Sequence, residues 1–380
     1  MRTILAFETS PGEGFGLMRH ALIRAVLLVQ HAVDDLASDG QGAGQHELCL
    51  ALPPISATPH VAPDRHPADG LRWSRVIDLD RLQAGTGIEA VDLDDVVAGR
   101  PGLPWHQLNL TLGTLPADGE EHWRHEDPTE RSTARPNVRV ARAKPAGWLS
   151  PKSVEWIDTF SSPTSPYLAQ EVLALPDGED HGLFLAGLER ISWGRSYGSA
   201  EFWRVVASLG PAPSIAQLAA DLRPDTPYLG VHWRRGDFAS AHPEVTPGPT
   251  VAAAQVDRFA TAHDLATVFL ATDAGPQEVD DLRAEIASPH LRVETLPADP
   301  GVPLGDLERS LVEQAILFDS TCFVGTRYST FSAAVHETRE ATGRWAPAAT
   351  WNVLTGDADH PTPRRPDLGH GLHRWARHTD

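Results

Sequence analysis

Four short stretches carry residue types that could do chemistry, each where an apolar run gives way to glycine, hydroxyl or charged residues. The first is Gly12-Glu13-Gly14-Phe15-Gly16, between a short apolar run and a long helical pattern. Backbone N–H groups and the helix dipole at such a junction favour an anion, and the glycines let a ligand approach closely. Glu13 is the odd member, because a carboxylate is repelled by a phosphate unless it acts as a base beside it. A glycine turn with a helix-capping glutamate is the plain alternative. The second stretch is His232-Trp233-Arg234-Arg235-Gly236-Asp237-Phe238, leaving an apolar strand. Strand alternation puts His232 and Arg234 on one face and Trp233 and Arg235 on the other. Two guanidinium groups at a strand mouth suit a diphosphate, which they bind bidentately, and Asp237 could tether either one. A strand-end salt-bridge cluster is the alternative there.

The third stretch, Gly325-Thr-Arg-Tyr-Ser-Thr-Phe-Ser332, places the hydroxyls of Ser329 and Thr330 and the ring of Phe331 at a helix start. Such hydroxyls and N–H groups either cap the helix or grip a phosphate. The fourth, Ala271-Thr-Asp-Ala274, could send Asp273 toward a base or ribose, or use it as an N-cap. Asp78-Leu-Asp80 and Asp92-Leu-Asp-Asp95 have the Asp-x-Asp spacing that can hold a divalent cation under a diphosphate. In so acidic a chain they read as solvated turns. There is no His-Glu-x-x-His pair and no Gly-x-Ser-x-Gly elbow, and two cysteines cannot build a zinc site alone. The expectation is therefore no metal and no cofactor.

The elements that must position these residues alternate. Thr3–Phe7 reads as a buried strand, Leu17–Leu36 as a helix with apolar spacings of three and four, and Glu47–Pro54 as a second strand. This βαβ unit implies a parallel sheet. Arg75–Asp80 and Glu89–Leu93 read as further short strands, Gly182–Arg190 and Ser199–Leu209 as amphipathic helices, and Ser214–Leu222 as a helix with Ser214 at its N-cap. A second alternation follows, with strands at Tyr228–Trp233, Thr267–Thr272, Leu291–Thr295 and Thr321–Gly325. Its helices run over Val251–His263, Gln277–Ile286, Asp306–Ser320 and from Tyr328 to about Thr342. The expected class is α/β, with two Rossmann-like domains facing a cleft and ligands held at strand C-termini. One domain spans 1–210, with an irregular insertion at about 116–150 rich in Pro, Glu, Arg and His. The other spans 211–343, and a tail covers 344–380.

Composition narrows the partners. The 380 residues carry 51 Asp+Glu against 32 Lys+Arg, a net charge of −19 with His neutral. That repels nucleic acid and anionic membrane, and leaves room for one local basic site. Two cysteines, Cys49 and Cys322, cannot supply a disulfide framework and are expected to be free and buried. The apolar run at the N-terminus is too short for a signal peptide, and Arg24, Gln30 and His31 interrupt the stretch from Ala21 to Val33. The expectation is a soluble, cytoplasmic protein.

Together and in this order, the four stretches resemble the GDP-fucose protein O-fucosyltransferases, most closely the thrombospondin-repeat type. Pro11-Gly-Glu-Gly-Phe-Gly-Leu-Met-Arg19 is similar to the family's Pro-Glu-Gly-Phe-Asn loop and basic helix. Tyr228–Phe238 is similar to its Gly-Val-His-Leu-Arg-Arg-x-Asp-Phe strand, Val268–Ala274 to its Val-Phe-x-Ala-Thr-Asp segment, and Cys322–Glu340 to its Phe-Ile-Gly-Thr-x-x-Ser-Thr-Phe-Ser block. Glu189-Arg190, Tyr197-Gly198 and Phe202-Trp203 are similar to a further family stretch. The resemblance implies an inverting, metal-independent glycosyltransferase of the GT-B-like class. Its donor would be GDP-β-L-fucose and its acceptor a hydroxyl, such as Ser or Thr of a protein. It implies Glu13 as proton acceptor and Arg234 on the β-phosphate. Gly12, Gly14, Phe15, Gly16, His232, Trp233, Arg235, Asp273, Ser329, Thr330 and Phe331 would stand around the donor, and Glu313 where the family has a donor-contacting Asp. Gly16 replaces the family's Asn. Since the family's acceptors are disulfide-rich secreted modules, two alternatives stay open: a fucosyltransferase acting on a glycan or small molecule, and a non-catalytic GDP-sugar-binding protein.

Overall fold

The computed structural model describes residues 1–7, 15–38, 47–55, 70–109, 139–143, 157–158, 164–176, 178–186, 191–192, 198–243, 246–327 and 329–356. They form two compact units that divide between Ala212 and Pro213.

The N-terminal unit carries strands β1 (Arg2–Phe7), β2 (Glu47–Leu52), β3 (Glu89–Asp92), β4 (Trp105–Asn109), β5 (Arg139–Ala143) and β7 (His181–Ala186) in one sheet, with order β3-β2-β1-β7-β4-β5. Every pairing in it is parallel. Strands β6 (Ile157–Asp158) and β8 (Ile191–Ser192) form a separate parallel pair. The helices are α1 (Phe15–Ser38), α2 (Leu79–Thr86), α3 (Leu93–Gly99), α4 (Thr164–Leu173) and α5 (Ala200–Ser208). In β1 and β2 only the first residue escapes burial, as strands covered on both faces require. Helix α1 is buried almost without interruption from Ala21 to Val29.

Three expectations fail in or beside this unit. Gly182–Arg190 contributes strand β7, not a helix. The run Gly182-Leu-Phe-Leu lies between β1 and β4, so it is apolar on both faces and shows no alternation to betray a strand. Gly182 belongs there because a Cβ would collide with the Trp105 ring. Arg75–Asp80 is no strand either: Trp73–Arg75 is a 3-10 turn, Ile77 makes one bridge to Pro211, and Asp78 caps α2 by accepting from Arg81 N–H at 2.9 Å. Ser214 is not an N-cap, because helix α6 (Pro213–Leu222) already begins at the proline, whose fixed φ suits a first helical turn.

The C-terminal unit adds β9 (Leu229–Trp233), β10 (Thr267–Thr272), β11 (Arg292–Glu294), β12 (Cys322–Thr326) and β13 (Asn352–Leu354), again all parallel, in the order β11-β10-β9-β12-β13. Its helices after α6 are α7 (Phe238–Ala241), α8 (Pro249–Ala262), α9 (Pro276–Glu285), α10 (Asp306–Phe318), α11 (Thr330–Thr342) and α12 (Pro347–Thr350). Counted within the unit the order is 3-2-1-4-5, the Rossmann arrangement. Its switch point lies between β9 and β12, where chain leaving the two strands diverges and opens a ligand crevice. Leu229, Val231, Trp233, Val256, Leu270, Leu282 and Val324 fill the core. Buried Arg339 ties the end of this sheet together through backbone oxygens: its guanidinium donates to the carbonyls of Phe318 (3.1 Å), Ser320 (2.6 Å) and Ala349 (3.0 Å). Cys49 and Cys322 are free and buried, and burial pushes each thiol up to about 11. No helix among the described residues is long and apolar enough to cross a membrane.

Candidate active site

The groups singled out in the C-terminal unit converge on its switch point. At the end of β9, His232 is buried and its ring stacks on Phe331, with centroids 4.2 Å apart and planes 24° from parallel. One residue on, Arg234 leaves the strand and its guanidinium is held on two sides. Nη2 donates to Asp237 Oδ1 and Nη1 to Asp273 Oδ2, each at 2.5 Å, while the Phe238 ring lies 5.4 Å from Cζ. Asp273 also accepts from Arg235 N–H at 2.6 Å, so one carboxylate fixes both the backbone turn and the side chain. Asp273 therefore does not cap α9, whose N-cap is Gly275. The turn needs Gly236, whose φ is +25°.

Alternation separates the neighbouring pair from this face. Trp233 is fully buried in the core and its Nε1–H donates to Pro247 O at 3.0 Å. Arg235 lies over the Trp233 ring, Cζ 5.3 Å from its centroid. It donates from Nε and Nη2 to Glu278 Oε1 at 2.9 and 2.6 Å. The structure thus gives Trp233 and Arg235 a packing role on the opposite side from His232 and Arg234.

At the end of β12, Ser329 occupies the N-cap of α11 yet makes no side-chain capping bond. The first turn of α11, Thr330-Phe331-Ser332, presents N–H groups that the Ser329 side chain leaves uncapped, beside Arg234's strand. Two hydroxyls not singled out from sequence stitch β9, β12 and α11 together. Thr326 Oγ1 accepts from Arg234 N–H and donates to His232 O, both at 2.8 Å. Ser332 Oγ accepts from Thr326 N–H at 2.9 Å and meets His232 Nδ1 at 2.7 Å. Gly325 makes this possible, since a Cβ there would stand 2.7 Å from Ser332 Cβ and Oγ. The signal in the sequence was the hydroxyl-rich Gly325–Ser332 stretch, but it did not say which hydroxyl would turn inward. Gln314 of α10 donates to Phe331 O at 3.3 Å. Next to it, burial pushes the Glu313 carboxyl up to about 7; Arg309 works against that shift and Asp273 adds to it. The His232 imidazole is pushed down to about 3 by burial, then by Arg234 and His336.

Of the first stretch, Gly12, Glu13 and Gly14 lie outside the described residues, as do Glu189, Arg190 and Tyr197 of the further family stretch. Phe15 opens α1, its ring 5.8 Å from that of Trp73, and Gly16 is buried in the same turn. The Asp-x-Asp motifs have structural partners. Asp78 caps α2, and Asp92 is buried rather than solvated, accepting from Trp73 N–H at 2.9 Å and Ser74 Oγ at 2.5 Å and pairing with Arg72. Asp95 pairs with Arg72 as well. Among the described residues no three His, Cys, Asp or Glu gather as metal ligands would.

Comparison with known proteins agrees with this geometry. Residues 5–342 match the family described as GDP-fucose protein O-fucosyltransferase. The chain is 24% identical to the human GDP-fucose protein O-fucosyltransferase 2 over 408 residues, covering 94% of this chain and 87% of the human protein. It is 26% identical to the Drosophila melanogaster protein of the same name over 406 residues, covering 92% and 79%. Among solved structures it is similar to POFUT1 in complex with GDP-fucose, with a TM-score of 0.63 at 12% identity over 93% of this chain and 97% of that one. The α/β, GT-B-like architecture with two parallel sheets is the one that fold predicts.

Proposed function

The chain belongs to the GDP-fucose protein O-fucosyltransferase family, and from that premise we propose that it transfers L-fucose from GDP-β-L-fucose, with inversion, to a hydroxyl of a protein. The observation that carries the reading is that Arg234 and the first turn of α11, which the Ser329 side chain leaves uncapped, both stand at the β9/β12 switch point, joined through Thr326. A departing GDP gains negative charge as the C1–O bond breaks, and a guanidinium with a helix N-terminus is built to receive it. Asp237 and Asp273 hold Arg234 in place beforehand, so little reorganisation is needed when a phosphate arrives. Glu313 offers guanine a half-buried carboxyl acceptor, and Glu13, following β1, serves as the base that takes the proton from the acceptor hydroxyl.

Arg234 and the helix turn do the work that a divalent cation does in Asp-x-Asp enzymes, and Asp78, Asp92 and Asp95 are already engaged within the N-terminal unit. We therefore expect no metal requirement. The test is transfer from GDP-fucose, and its hydrolysis, with and without EDTA. Arg234→Ala should lower kcat by about 10²–10³-fold, the cost of one group acting mainly in the transition state. Glu13→Gln should lower transfer to a hydroxyl acceptor while leaving GDP binding intact. Undiminished turnover in both variants, or abolition of wild-type turnover by EDTA, would sink the reading.

A further inference from the structure

His232 sits in a place where its protonation pattern is decided by one hydroxyl. Burial beside Arg234 and His336 keeps the ring neutral, so it carries a single N–H. Which nitrogen bears it follows from counting the protons around Ser332. Ser332 is fully buried, and its Oγ accepts from Thr326 N–H at 2.9 Å. Among the described residues its own proton has one acceptor within reach, His232 Nδ1 at 2.7 Å. If Nδ1 bore the imidazole proton, Ser332 Oγ would accept twice and bury an unpaired O–H, at a cost the opposite tautomer avoids. Nδ1 therefore accepts, and the proton resides on Nε2. Turning the ring over within its stack on Phe331 offers no escape, because it would set the Cδ2–H against Ser332 Oγ and again leave the buried O–H unpaired. Nε2 has no hydrogen-bond partner among the described residues.

We propose that Ser332 is a positioning residue for the donor: by donating to Nδ1 it fixes His232 as the Nε2–H tautomer and keeps that N–H as a standing hydrogen-bond donor for an oxygen of the nucleotide diphosphate. The same hydroxyl, through Thr326, ties this donor to the backbone of Arg234. Aim at the nucleotide and grip on the phosphate are thus set by one buried network. The proposal rests on the donor-site reading above.

The test uses the full-length protein labelled with 15N-histidine. Long-range 15N–1H spectra, with His232 assigned by its loss in His232→Gln, should show the Nε2–H form in wild type, ligand-free and with GDP. In Ser332→Ala the Nδ1–H form should appear, and the Kd for GDP should rise about tenfold, the loss of one well-aimed hydrogen bond. A merely structural serine would also weaken binding, so the decisive measurement is the double mutant. A Gln at position 232 always offers an N–H where Nε2 stood, so adding Ser332→Ala to His232→Gln should change Kd by less than about twofold. An Nδ1–H signal for His232 in wild type would overturn the proposal, as would an equal loss of GDP affinity in both backgrounds. Failure of wild type to bind GDP would overturn the donor-site reading instead, and the ligand-free spectrum would still report the tautomer.

Discussion

Acid should weaken the C-terminal unit in a way that a single substitution reshapes. Three groups in this unit that could change charge between neutral pH and acid sit far from their ordinary ranges. His232 and His336 are each held near 3 by burial, and Glu313 near 7. The two histidines are depressed bases. Below about pH 6.5 the unfolded chain takes up a proton on each and the folded unit does not, so stability falls by about 1.4 kcal/mol per pH unit for each. Glu313 is an elevated acid and works the other way. Between about pH 7 and 4.5 the folded unit binds its proton and the unfolded chain does not, so stability rises by about 1.4 kcal/mol per pH unit as pH falls. Over the two units from pH 6.5 to 4.5 the net loss is about 3 kcal/mol, half of what the histidines alone would impose. Glu313→Gln removes the opposing contribution, so the loss over this window should double. The stability difference between variant and wild type should therefore move by about 3 kcal/mol between pH 8 and pH 4.5, favouring the variant at the alkaline end. The assay is native-state hydrogen exchange at the amides of β9 and β12, corrected for intrinsic rates, in both proteins at four pH values. That readout follows the C-terminal unit without requiring the whole chain to unfold in one step. A difference that stays flat across this range would refute the burial argument for Glu313.

Two further outcomes follow from close contacts. Gly236→Ala should raise KM for GDP-fucose in a protein that still folds, because a methyl there meets Asp273 and strains a backbone at φ +25°; an unchanged KM would count against Asp273 as the anchor of Arg234. Arg339→Met should cost the C-terminal unit about 3 kcal/mol in urea unfolding, since the carbonyls of Phe318, Ser320 and Ala349 lose buried donors; an unshifted transition would mean that water replaces the guanidinium.

Much of the C-terminal unit was legible because its strands are apolar runs bounded by turn residues. Thr267–Thr272 matches β10 to the residue, and α10 and α11 begin and end within two residues of expectation. Gly343, at φ +61°, stops α11 where a glycine should. The N-terminal unit was harder. β7 is short, apolar after His181 and central, so its pattern fitted a helix as well as a strand. Val76 and Ile77 looked like a strand because the sequence does not show that Asp92 organises the turn at Trp73 from 19 residues away. In the site, period-two alternation correctly parted His232 and Arg234 from Trp233 and Arg235. It could not reveal Thr326 and Ser332, because their importance lies in contacts across the sheet.

The switch point also dictates when the site can exist. His232 and Ser332 are 100 residues apart in the chain, as are Gln255 and Thr355, which join α8 to the segment after β13. The β10 and β11 crossovers must be laid down on one side of β9 before β12 can arrive on the other. The neighbours of β9 on its β12 side are thus recruited late, after a large loop has been closed. A chain emerging from the ribosome holds His232 and Arg234 as an unfinished edge until α11 is synthesised. The proposed donor site would therefore be among the last parts of the molecule to form, and a polypeptide truncated before Thr330 would lack Phe331 and Ser332, the partners of His232.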